Sequence, residues 1–141
     1  MKKVGLLACA AALTIAPLAA QTVPEGMHSE SNGPSSLCGI SGSDALAIRA
    51  KLRSTSTIEE KPSGSLRFET YFSTTEAKQW TVTTEVDSAY PAVTCVHLFD
   101  SDGGTDMRRQ MRCDSSRERC DALFSEFRTS DEQVRKNIRG R

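Results

Sequence analysis

KQWTVTTEV, residues 78–86, decides the fold. Trp80, Val82, Thr84 and Val86 alternate with Gln79, Thr81, Thr83 and Glu85. Period-two burial built from aromatic and β-branched residues marks a strand with one buried face. The preceding run, 65–73, repeats the pattern: Leu66, Phe68, Thr70 and Phe72 alternate with Arg67, Glu69 and Tyr71. Downstream, 92–99 is apolar on both faces, with Val93, Cys95 and Phe99 on one and Val96 and Leu98 on the other. It therefore lies centrally or is covered on both sides. The segment DSDGG, 100–104, is a hairpin-turn signal. It leads into 107–113, where Met107 and Met111 alternate with Arg108, Gln110 and Arg112.

Helical patterns flank these four strands. Ser43 is placed to cap a helix with Asp44 in its first turn. Ala45, Ile48 and Leu52 then form one apolar stripe, widened by Leu46, and Arg49, Lys51 and Arg53 fall near the favourable C-terminal end. Residues 54–64, with Pro62 and Gly64, break the pattern. Ser115 and Glu118 have capping-box spacing, ahead of a stripe formed by Cys120, Leu123, Phe124 and Phe127. Ser130 and Gln133 repeat that spacing before a short helix bearing Val134 and Ile138. The predicted class is α+β: a four-stranded antiparallel meander packed by an N-terminal helix and one or two C-terminal helices, with one sheet face partly open.

The chain opens with Met1-Lys2-Lys3, an apolar run from Val4 to Leu18, and small residues Ala19 and Ala20 before Gln21. This is the order of a secretory signal peptide, and the run falls short of the roughly twenty residues that cross a bilayer as a helix. The expected organisation is signal peptide 1–20, flexible leader 21–42 and a single domain 43–141, with no transmembrane segment after cleavage. Within the same run, LLAC (6–9) resembles the lipobox of bacterial lipoproteins, which would make Cys9 a lipidated N-terminus.

Export changes how the cysteines read. Cys38, Cys95, Cys113 and Cys120 remain after cleavage, and an even number in a small exported chain reads as two disulfides. Three pairings are open; the expected one is Cys38–Cys95 with Cys113–Cys120. Zinc sites use paired short spacings such as CxxC, and none occurs, so no metal is expected. Asp100, Asp102 and Asp106 around Gly103 and Gly104 lack the order of a calcium loop. Removal of Lys2 and Lys3 leaves a mature chain with 16 basic and 18 acidic side chains. That balance gives no bulk attraction to nucleic acid. No nucleophile elbow, phosphate loop, dinucleotide fingerprint or HExxH occurs, and no cofactor is implied.

Two groups of residues remain as candidates. Arg67, Tyr71, Arg108 and Arg112 form an expected binding surface on the open sheet face, since Arg and Tyr are enriched at protein interfaces. His97 is the candidate general acid or base, with Glu69, Glu85, Arg109 and Arg112 on neighbouring strands. A four-stranded sheet carrying His, Glu and Arg resembles secreted microbial ribonucleases at the level of fold alone. The leading expectation is a small periplasmic or secreted, disulfide-stabilised protein that binds a protein partner, of inhibitor, immunity or envelope-accessory type. The alternative is a small secreted hydrolase centred on His97.

Overall fold

A computed structural model describes residues 35–139. The expected signal peptide, Cys9 and most of the expected leader lie outside the described residues. The elements run β1 (Ser36–Leu37), β2 (Ile40–Ser41), α1 (Ala45–Ser54), β3 (Ile58–Lys61), β4 (Phe68–Ser73), β5 (Lys78–Thr83), β6 (Ala92–Ser101), β7 (Gly104–Cys113) and α2 (Arg117–Arg139). The architecture is α+β, and its sheet is an antiparallel meander of five strands in the order β3-β4-β5-β6-β7.

The fifth strand corrects the expected four. Ile58–Lys61 reads IEEK, with only Ile58 turned toward the core, so it carries almost no apolar alternation. Its pairing with β4, from Ile58 opposite Ser73 to Lys61 opposite Thr70, makes it an edge strand. Charged side chains on a short edge oppose pairing with other chains. A second correction concerns the layers. Trp80, Val82, Val93, Cys95 and Tyr71 pack with Ile48 and Leu52 of α1. Ala92, Met111 and Cys113, of opposite parity, pack with Cys120 and Leu123 of α2. The helices therefore cover opposite faces of the sheet. Of the one or two C-terminal helices expected, the chain forms one, α2, continuous over 23 residues. Ser130 does not cap a new helix; the stripe of Cys120, Leu123 and Phe127 continues through Asp131, which is buried against the sheet.

Local chemistry fixes α1. Asp44, rather than Ser43, is the N-cap: its carboxylate accepts the Ala47 N–H at 2.8 Å, and the Ser43 hydroxyl donates to the same carboxylate. Asp114 anchors the helix start to the sheet by accepting the Ala45 N–H. A Cβ at Gly42 would lie 2.7 Å from the Ile48 nitrogen, so only glycine lets β2 run this close to α1. The β1–β2 hairpin falls inside the stretch expected as leader. It covers Trp80, whose indole N–H donates to the Leu37 carbonyl at 3.0 Å. The Cys38–Cys95 disulfide joins this hairpin to β6, and Cys113–Cys120 joins β7 to the first turn of α2. Each face of the sheet thus carries one covalent link.

Strands β6 and β7 are longer than their neighbours. Pairing of β5 with β6 ends at Lys78–His97, whereas β6 and β7 continue through Leu98–Met107 to Ser101–Gly104. A two-stranded ribbon therefore projects past the sheet, closed by Asp102 and Gly103, the two-residue Asp-Gly loop of tight hairpins. The C-terminal half of α2 braces it: Arg135 donates to the Met107 carbonyl at 2.9 Å. The Met107 N–H is accepted by Asp106, so side chains occupy both backbone groups of Met107.

Candidate functional site

Most of the expected binding surface is committed to internal contacts. Tyr71 is 1% exposed and lies in the core beneath α1. Alternation correctly grouped it with Glu69, but that is the face α1 covers; Arg67, in the turn before β4, reaches α2 instead. Arg67 donates to the buried Asp87 at 2.7 Å and to Glu126 of α2 at 2.9 and 3.1 Å. Arg112 bridges Asp114 and the Ser43 carbonyl, at 2.7 and 2.9 Å, pinning the start of α1. Arg108 alone of the four is both exposed and without a carboxylate contact among the described residues; its guanidinium lies 5.6 Å from the centre of the Phe99 ring.

Glu69 is the centre of the densest polar cluster. Arg49 grips its carboxylate with two N–H groups, Arg53 adds a third contact at 3.0 Å, and the Tyr71 hydroxyl donates at 2.9 Å. Burial pushes its pKa up, but the Arg49 and Tyr71 hydrogen bonds and the two guanidinium charges outweigh that, and the net direction is down. Burial likewise pushes the Tyr71 phenol up. With every oxygen engaged, Glu69 ties α1 to β4 and has no free lone pair aimed at solvent chemistry. The native state favours the charged carboxylate more than the unfolded chain does. Its contribution is therefore complete above the ordinary carboxyl value of 4.5 and is lost as pH falls through the lowered native value. Glu69→Gln should lower stability at neutral pH and flatten its acid limb, measured by urea denaturation from pH 7 to pH 3. An acid limb as steep as that of the wild type would refute this role.

The His, Glu and Arg expected for a hydrolase do not meet. His97 lies in register with Lys78 and Arg108, two rows along β6 from Val93, whose row holds Glu69 and Arg112. Glu85 is exposed in the turn after β5. Arg109 projects from the other face and pairs with Asp131. Among the described residues no side chain hydrogen-bonds to His97, whose ring meets Phe99 at 6.0 Å. Asp100 and Asp102 lie exposed at the ribbon tip, and Asp106 faces Arg135.

The concave feature is a groove of about 350 Å³ between the C-terminal half of α2 and the strand ends. Phe72, Val96, Leu98 and Met107 form its sheet side, and Val134 overhangs it from α2. Phe72, Leu98 and Val134 are 36%, 36% and 41% exposed, three of the large apolar side chains left open to solvent. A further hollow shares Leu98 and Val134 and extends toward Thr105 and Ile138. The charges at the rim are already paired: Lys78 with Glu76 at 2.8 Å and Arg109 with Asp131 at 2.7 Å. Such a rim leaves an apolar interior as the free binding element. The sequence reading missed this site because its apolar residues come from three distant segments. The one signal was Val134 on an extended α2 stripe, exposed where the sheet ends.

Comparison with protein-family models, curated proteins and solved structures finds no match for this chain. The two disulfides are consistent with an oxidising, extracellular or periplasmic location.

Proposed function

We propose that this is an exported protein that acts by binding a protein partner, and that its contact site is the groove between α2 and strands β4–β7. The observation that carries the reading is the convergence of exposed Phe72, Leu98 and Val134 on one concavity with a charge-paired rim. Apolar groups clustered in a pocket and surrounded by polar ones are the usual anchors of an interface. Arg67, Tyr71 and Arg112 are not available for this role, since each stabilises the fold itself. Export rests on the N-terminal sequence pattern and on the oxidised cysteines.

The reading is tested by placing a photo-crosslinking amino acid at Val134 in the full chain, in cells that make the protein. A discrete conjugate is expected at Val134 and at Leu98. None is expected at Leu66, which is 85% exposed but lies outside the groove. Val134→Asp should abolish the conjugate formed at Leu98 while leaving thermal unfolding within a degree or so of wild type. Equal conjugates at all three positions, or none at the groove positions, would refute the site.

A further inference from the structure

We infer that Arg108 and His97 form a carboxylate-binding site on the α1 side of the projecting ribbon, independent of the groove. Lys78, His97 and Arg108 are register partners across β5, β6 and β7, so they form one row; Lys78, at the start of β5, also reaches the groove rim, and the site itself is Arg108 and His97. In the next row Trp80 and Cys95 are buried beneath the β1–β2 hairpin, through the Trp80 bond to the Leu37 carbonyl and the Cys38–Cys95 disulfide, while Gln110 stays exposed and accepts the Cys38 N–H. In the His97 row, past the edge of the hairpin, Arg108 is exposed and His97 is half-buried.

Phe99 organises the row. Its ring centre is 6.0 Å from that of His97 and 5.6 Å from the Arg108 guanidinium carbon. A guanidinium resting on an aromatic face keeps its outer N–H groups free and loses little further side-chain freedom on meeting a ligand. Arg109 and Arg112 on the same strand are both closed by carboxylates, whereas Arg108 has no such contact among the described residues. The neighbouring charges do not neutralise it. Lys78 is paired with Glu76 at 2.8 Å, and Asp106, on the same face of β7, is directed to Arg135 at 3.8 Å and to the Met107 N–H at 2.8 Å. The row presents a forked donor and an imidazole N–H to the same side. A planar two-oxygen anion fits that pair: Arg108 donates two parallel hydrogen bonds to the carboxylate and His97 donates to one of its oxygens.

The test is an NMR titration of the folded protein, observing the Arg108 Nε–H and the His97 ring, with succinate in one arm and a glutamate hexapeptide in the other. Saturable shifts confined to Arg108, His97 and Phe99 are expected in at least one arm. Saturation by succinate identifies a small acid as sufficient; saturation by the peptide alone identifies an acidic chain segment. Arg108→Gln should weaken binding by at least about tenfold, and His97→Gln by less. The exposed helical control Arg119→Gln should leave binding unchanged. Unaltered Trp80 fluorescence would verify that each variant is folded. The inference fails if neither probe saturates, if the shifts survive Arg108→Gln, or if inorganic phosphate produces them and the carboxylates do not.

Discussion

Asp131→Asn is expected to destabilise the protein by about 3 kcal/mol, the cost of leaving a partner charge buried and uncompensated. Asp131 receives two hydrogen bonds of 2.7 Å from Arg109, and their side chains are only 7% and 12% exposed. Arg109 also donates to Thr94 at 2.8 Å and lies 4.4 Å from the Phe127 ring centre. Asparagine keeps the shape and one acceptor oxygen but removes the charge, and the guanidinium, only 12% exposed, has little solvent access to replace it. Thermal unfolding should fall by about 10–15 °C, given the entropy of unfolding of a domain near a hundred residues. A second variant separates charge burial from loss of contact. Arg109→Met combined with Asp131→Leu removes both charges and should recover most of the loss, because well-packed apolar pairs of similar volume replace buried ion pairs with little penalty. Recovery failing in the double variant would mean that the pair contributes through geometry rather than through compensation of buried charge.

Loss of the Cys38–Cys95 disulfide is expected to cost about 4 kcal/mol, against about 2 kcal/mol for Cys113–Cys120. The difference follows from the chain-entropy model and the separations of 57 and 7 residues. Cys38→Ala with Cys95→Ala also leaves the β1–β2 hairpin attached to the sheet mainly through the Trp80–Leu37 and Cys38–Gln110 hydrogen bonds. Trp80 is the sole tryptophan and is 2% exposed, so its emission reports directly on that cover. A red-shifted emission below the main unfolding transition is expected in this variant and not in Cys113→Ala with Cys120→Ala. The reverse order of stabilities, with the short loop mattering more, would contradict the assignment.

The residues show why some of this was legible in the sequence. Alternation in β5 placed Trp80 and Val82 on the buried face, because they are large and separated by polar residues, whereas in β4 it separated Tyr71 from Phe68 and Phe72 but took the Tyr71 face as the open one. Alternation does not say which face a helix will cover. Arg49 and Arg53 of α1 neutralise Glu69, which makes a face bearing a carboxylate and a tyrosine coverable; that complementarity appears only when the two elements meet. Strand β3 was hidden because an edge strand of Glu and Lys needs only one inward residue, Ile58. The continuity of α2 was left open by Ser130, whose capping spacing allowed a second helix; in the fold the helix runs on through Asp131, which pairs with Arg109. A carboxylate on the stripe of Cys120, Leu123, Phe127 and Val134 was itself a sign of a buried cationic partner. Strand parity placed His97 with Phe99, but the pairing of His97 with Arg108 follows from the β6–β7 register, and Arg109, expected beside it, lies on the other face. The groove was not readable, since Phe72, Leu98 and Val134 approach one another only through the tertiary arrangement.

The disulfide at Cys120 sits at one end of α2, and that gives the helix a mechanical character. From Cys120 to Val134 the axis runs about 21 Å, so a tilt of about 10° pivoting on the staple would carry Val134 by nearly 4 Å. The same tilt barely moves Leu123. Helix α2 is thus a lever whose fulcrum is covalent, and the Arg109–Asp131 clamp and the Arg135 bond to the Met107 carbonyl hold its far arm at the position that sets the width of the groove.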